Sequence, residues 1–224
     1  MKLYYDPIST TSRVVLLFLG EHDLPVEREV VNLMLGEHYA PAYAALNPNT
    51  AVPTLEDGDL VIGECSAILK YLADVADSAT YPKALKARAR VNAAMDWFNT
   101  YYSTDFNKGF VYPQIFPMYR HPDDAVHQAT LERGLAWGER RMAVLDQHML
   151  AKTPYVCSET LTIADYIGAA YVGISAAVDY DLSRFPNVQA WMARMQARPS
   201  WRDAHAAFYG LMASQRGQQQ RAAG

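Results

Sequence analysis

The chain is poor in cysteine, with two in 224 residues. Cys65 and Cys157 stand at a spacing that fits no zinc or dithiol motif, and two thiols do not build a disulfide framework. That pattern predicts a reduced, cytoplasmic protein without a metal site. No run of about 18 apolar residues occurs, so no membrane-spanning helix is expected. A basic-then-apolar leader is also missing from the N-terminal residues, and no secretory signal is expected. Positive charge is not in excess: 20 Lys and Arg face 24 Asp and Glu, a formal charge of −4. A nucleic-acid surface needs the opposite balance, so nucleic acid is excluded as a partner. No internal repeat is found. What remains is an ordinary globular composition, 50% hydrophobic and 20% charged. The length suits one large domain or two small ones with a sizeable core.

The texture of the chain changes near residue 77. Before it, short β-like runs alternate with helical ones. Lys2 to Tyr5 and Val26 to Val31 read as strands, with a helix from Thr11 to Glu21 between them. That order is a βαβ unit, which favours parallel pairing. The stretch from Val52 to Leu69 reads as a short strand, a turn at Asp57-Gly58, a second strand and an abrupt helix start at Glu64, that helix running to Ala76. Asp77 to Pro82 is a polar connector with a proline stop. Beyond it the signals are helical only. Val91, Met95, Phe98 and Tyr102 mark an amphipathic helix, and Ile163, Ile167, Tyr171, Ile174 and Val178 a more apolar one. The tail 215–220 lacks apolar periodicity and is expected to be frayed. The reading is α/β plus all-α: residues 1–77, a linker over 78–86, and a helical bundle over 87–224.

The most informative stretch is Val52-Pro53 with the hairpin behind it and the helix start at Glu64. An X-Pro bond is the kind that is often cis, and a cis bond here leaves the Val52 backbone polar groups exposed at a strand edge. Beside the amides of a helix N-terminus, such a backbone clamp suits a small peptide-like anion. A second polar cluster, Ser9-Thr10-Thr11-Ser12-Arg13, opens the first helix. Thr162 and Asp165 have the spacing of a capping box and are read as structural.

These stretches resemble the cytosolic glutathione transferases, in their theta-like, serine-type branch. Leu3-Tyr4-Tyr5-Asp6-Pro7-Ile8-Ser9 is similar to the family's first strand and catalytic loop. Leu35-Gly36-Glu37-His38 followed by Asn47-Pro48 is similar to the theta type, and Leu161-Thr162-Ile163-Ala164-Asp165-Tyr166 to the motif of the family's helical domain. The matches fall in family order up to about residue 210.

The resemblance implies a thioredoxin-like domain followed by a helical bundle. It implies a detoxifying transferase that ionises the glutathione thiol for attack on a small hydrophobic electrophile. A glutathione-dependent dehalogenase or ether-cleaving lyase on the same fold is an alternative, as is a non-catalytic binding protein. A disulfide reductase would want a cysteine in the 9–13 loop, which has none. Ser9 is the implied thiol activator, with Tyr4, Tyr5, Thr10, Thr11 and Ser12 as competing hydroxyls. Thr11 stands where the family often has proline. Arg13 is a brace for the loop. Val52 and Pro53 are implied to hold the cysteinyl part of glutathione, Glu64, Cys65 and Ser66 the γ-glutamyl end, and His38 the glycyl end. Cys65 departs from the family's serine, and Thr50 and Ala51 replace a basic residue often seen there. Phe106, Phe110, Tyr112, Phe116 and Tyr119 are candidates for the electrophile surface. A homodimer is implied, with the face of Val91, Met95 and Phe98 offered to the partner.

Overall fold

The computed structural model describes residues 1–223, and their side chains other than those of 216 and 218–223. Its contacts divide the chain into two compact units, Met1–Ser78 with Arg198–Gly224, and Ala79–Ala197.

The first unit is built on a four-stranded sheet in the order β2-β1-β3-β4. β1 (Lys2–Tyr5) pairs in parallel with β2 (Glu27–Val30), Leu3 opposite Arg28. β1 also pairs antiparallel with β3 (Thr54–Asp57), which turns back into β4 (Leu60–Ile62). Asp57 pairs with Leu60, so Gly58 and Asp59 form the turn, and Gly58 takes the left-handed φ of 62° that glycine tolerates best. The parallel pair needs a crossover, and α1 (Thr10–Leu19) provides it. A run of apolar residues buries almost the whole of α1 against α3 (Cys65–Val75). Leu3, Val14, Val15, Phe18, Leu55, Ile68, Leu69 and Leu72 are fully buried in this core. The sheet and these helices give the thioredoxin-like arrangement. A short helix not expected from the sequence, α2 (Pro41–Leu46), follows a 3₁₀ turn over Glu37–Tyr39. Pro41 sits in its first turn, where a missing N–H does no harm.

The second unit is helical, and among the described residues no strand follows Ile62. α4 (Leu85–Trp97) continues as a π-helical stretch over Phe98–Val111 and ends in α5 (Tyr112–Ile115). α6 (Asp124–Val144) packs along that stretch, and α7 (Ile163–Gly173) is buried along its whole length. α8 (Pro186–Gln196) lies against α7. The capping box at the start of α7 forms, with the Thr162 N–H donating to Asp165 at 2.8 Å.

Two expectations need correcting. Val91, Met95 and Phe98 are 6%, 0% and 0% exposed, and α7 packs against α4 and the start of the π-helical stretch. That face belongs to the chain's own core and is not offered to a partner. The tail also continues a helix: α9 (Pro199–Ala223) runs through residues 215–220. α9 packs against α1, where a Cβ on Gly20 would sit 2.9 Å from the Ser200 side chain. No described helix is long and apolar enough to cross a membrane.

Candidate active site

The loop from β1 into α1 is held by Asp6, which is 3% exposed. Its two carboxylate oxygens accept the Ile8 and Leu33 N–H groups, each at 2.8 Å, tying the loop to the segment after β2. Its carbonyl accepts the Ser9 N–H at 3.1 Å. These bonds place Ser9 as the N-cap of α1, its Oγ accepting the Ser12 N–H at 3.3 Å. Capping uses an acceptor lone pair and leaves the Ser9 proton available to donate. Arg13, one turn into α1, is fully buried with its guanidinium 3.9 Å from the centre of the Phe208 ring of α9. It braces the start of the helix.

The Val52-Pro53 peptide bond is cis, as the sequence led us to expect. The carbonyl just before this pair is the anchor of the loop. Ala51 O accepts the Tyr43 hydroxyl at 2.6 Å and the Asn47 amide at 2.9 Å, and Thr54 Oγ1 lies 3.4 Å away. The Val52 side chain is buried with Val31 and Tyr43. Val52 is thus fixed through its side chain and its neighbour's carbonyl. The two halves of the site meet at Thr11, whose hydroxyl donates to Val52 O at 2.9 Å and lies 3.0 Å from Ser9 Oγ.

The third part is the start of α3. Glu64 is its N-cap, exposed, with φ 62° and ψ 110°. A non-glycine residue held there costs on the order of 1–3 kcal/mol and marks a candidate ligand clamp. Cys65 is buried and forms no disulfide, and Ser66 is half-buried. A Cβ on Gly63 would lie 3.5 Å from the Asn47 amide nitrogen, so the residue that holds Ala51 also adjoins the start of α3. A helix N-terminus of this kind suits a carboxylate.

His38 is not brought into that cluster by any hydrogen bond. It lies in the 3₁₀ turn, its ring centroid 3.9 Å from that of Tyr39 and its Nδ1 buried without a hydrogen-bond partner. Tyr4 is directed elsewhere. Its hydroxyl donates to Glu56 at 3.0 Å, and burial, followed by that bond, raises its pKa. It lines a cavity of about 400 Å³ with Glu29, Val31, Tyr43, Leu46 and Glu56, which contains none of the candidate ligand-binding residues. Among the aromatic candidates, Phe106 is fully buried core. Phe110, Tyr112 and Phe116 are half-buried and Tyr119 is exposed; Tyr112, Phe116 and Tyr119 stack edge-on or tilted on one another. Among the described residues no group of three or more His, Cys, Asp or Glu is placed to hold a metal ion.

Sequence reasoning missed Tyr43 and gave Thr11 no bridging role. Asp6, Asn47 and Thr54 stood in quoted stretches without a role. The available signal was Asx chemistry beside a turn for Asp6 and Asn47; the partners of Tyr43, Thr54 and Thr11 lie across the fold.

Comparison with known proteins bears on this geometry. Residues 3–80 match the model of the glutathione S-transferase N-terminal domain, and residues 110–199 that of the C-terminal domain. The chain is 30% identical to glutathione S-transferase D7 of Anopheles gambiae over 201 residues, covering 86% of this chain and 84% of that protein. It is 29% identical to human glutathione S-transferase theta-1 over 202 residues, covering 88% and 82%. The crystal structure of human glutathione transferase theta-2 in complex with glutathione and an unknown ligand superposes with a TM-score of 0.83 at 25% identity, covering 95% of this chain and 88% of that one.

Proposed function

The chain belongs to the glutathione S-transferase family, and from that premise we propose that Ser9 is the residue that ionises the glutathione thiol. It is a glutathione S-transferase with glutathione as co-substrate. The finer reading rests on one observation: the N-cap hydroxyl of α1 and the backbone of Val52 are joined through a single side chain, Thr11. A thiol held on Val52 is thereby within reach of a hydroxyl and a helix N-terminus.

A free thiol titrates near ~8.5, so little thiolate exists at neutral pH. A hydrogen bond from the Ser9 hydroxyl to sulfur, with the partial positive charge of the α1 N-terminus, favours the anion. The thiol proton leaves to water. The thiolate then attacks a small hydrophobic electrophile: a carbon–sulfur bond forms, and the leaving group departs with the electron pair. Val52, with Pro53 behind it, pairs its backbone with the cysteinyl residue as a strand edge would. The Cys65 and Ser66 amides take the γ-glutamyl carboxylate, Glu64 its ammonium group, and His38 the glycyl end. The same reading includes a cytoplasmic homodimer and a division of the chain at residues 1–77, 78–86 and 87–224, with α9 folding back onto α1.

The test is Ser9→Ala. It should slow conjugation at neutral pH roughly ten- to a hundredfold, equivalent to about 1.5–3 kcal/mol, while glutathione binding changes little. The thiol pKa on the enzyme should rise, and activity should recover at high pH. Tyr4→Phe and Tyr5→Phe should leave that pKa in place. If a tyrosine variant raises it and Ser9→Ala does not, Ser9 is not the activator.

A further inference from the structure

The bonds at Thr11 have only one consistent direction. A carbonyl can only accept, so the Thr11 proton is committed to Val52 O at 2.9 Å. A hydroxyl has one proton, so the 3.0 Å contact between Ser9 Oγ and Thr11 Oγ1 must run from Ser9 to Thr11. The donor chain in this structure is therefore Ser9 to Thr11 to Val52. Two consequences follow for a ligand. The Ser9 proton points at Thr11 rather than at a sulfur. And of the two Val52 backbone groups that a strand-like ligand would use, the carbonyl already has a partner, whereas the N–H has none among the described residues.

We propose that Thr11 is a positioning residue that couples the docking of the glutathione backbone on Val52 to the direction of the Ser9 hydroxyl. When the ligand's cysteinyl N–H takes the Val52 carbonyl, that oxygen has a second donor, and the Thr11 proton turns to Ser9 Oγ without leaving the carbonyl unpaired. Ser9 then rotates its own proton to the sulfur. The chain of donors reverses and becomes Thr11 to Ser9 to thiolate. Both heavy-atom distances are already hydrogen-bonding ones, so only two hydroxyl rotations are needed. No covalent bond changes. Ser9 keeps a donated and an accepted bond, Thr11 keeps a donated bond and gives up the one it accepted, Val52 exchanges one donor for another, and the bond to sulfur is gained. A hydroxyl that accepts a bond is also the stronger donor, so Thr11 strengthens Ser9 as well as aiming it. The inference rests on Ser9 being the activator.

The experiment is a titration of enzyme-bound glutathione, followed by thiolate ultraviolet absorbance, in wild type, Thr11→Val, Thr11→Ser, Ser9→Ala and the Ser9→Ala/Thr11→Val double variant. Valine keeps the shape of threonine without the hydroxyl. Thr11→Val should raise the thiol pKa by about half to one unit, which is roughly a three- to tenfold loss of thiolate below that pKa. Thr11→Ser should restore the wild-type value. In the Ser9→Ala background, Thr11→Val should add nothing. A merely structural threonine would change the thermal midpoint without moving the titration. Should the valine variant not fold, Thr11→Ala carries the same expectation. If Ser9→Ala raises the pKa while Thr11→Val leaves it in place, the coupling is refuted and the Ser9 assignment stands. An equal rise on removing Thr11 with Ser9 absent also refutes it, since the effect then bypasses Ser9. If Ser9→Ala leaves the pKa unchanged, the Ser9 assignment fails and the coupling falls with it.

Discussion

Asp165 is fully buried and accepts four hydrogen bonds. The Val156 N–H and the Trp191 indole donate to one carboxylate oxygen, and the Thr162 N–H and hydroxyl to the other. Burial pushes its carboxyl up from 3.8 to about 6, against the opposing pull of those four donors. In the unfolded chain the group titrates near its ordinary value, so between these two pH values the native state holds the proton more tightly. The stability it contributes is therefore fullest below about pH 4 and falls as the pH rises through 6. Asp165→Asn turns an NH₂ group toward two of the donors and should lower stability by about 2–3 kcal/mol at pH 7. The loss should be larger at pH 4.5, where wild type has not yet given up its proton. Urea unfolding at the two pH values measures both, and a loss that is smaller at pH 4.5 contradicts the assignment. The spacing of Thr162 and Asp165 was enough to foresee the cap. The Trp191 and Val156 partners were not legible, because they reach Asp165 only after folding. Thr11 shows the same limit from the other side: its hydroxyl was visible as one of several, but its partner Val52 is 41 residues away.

Where α6 crosses the π-helical stretch, the two backbones touch. A Cβ on Gly134 would lie 2.2 Å from the Gly109 carbonyl oxygen and 2.8 Å from the Phe110 nitrogen. Both obstacles are backbone, so no rotamer change relieves them. Gly134→Ala should destabilise the protein by roughly 1–3 kcal/mol or more, despite the better helix propensity of alanine. Gly168→Ala should behave similarly, since its Cβ would fall 2.4 Å from the Phe98 ring, but part of that strain can pass to the ring. Thermal unfolding of the two variants checks the ranking. A Gly134→Ala variant as stable as wild type would mean that the helices are not in contact there. Elements with strong local signals were legible: β1, the β3–β4 hairpin, α1, α3, α7 and the cis peptide bond. α2 was not, because six residues carry too little periodicity. The π-helical stretch was not, because its apolar residues still recur at spacings that a 3.6-residue period accommodates. The helical state of 215–220 was not, because those last turns of α9 lack apolar periodicity, whereas Phe208 and Met212 anchor its earlier ones.

Periodicity reveals that one face of a helix is covered, but not by what, and this decides how the dimer prediction is tested. Val91, Met95 and Phe98 were read as a surface for a second copy, and they are core. The proposed homodimer must therefore use other residues, and the two properties separate experimentally. Met95→Ala removes a side chain that is 0% exposed and should lower stability by about 2–5 kcal/mol. At temperatures where the variant remains folded, it should keep the mass of the wild type. Light scattering at micromolar concentration should give about twice the 25.1 kDa chain mass for both proteins. A wild-type mass near 25.1 kDa ends the dimer proposal. A dimeric wild type beside a folded but monomeric Met95→Ala variant would instead return that face to the interface, and would require the packing of α4 against α7 to be rearranged in the assembled protein.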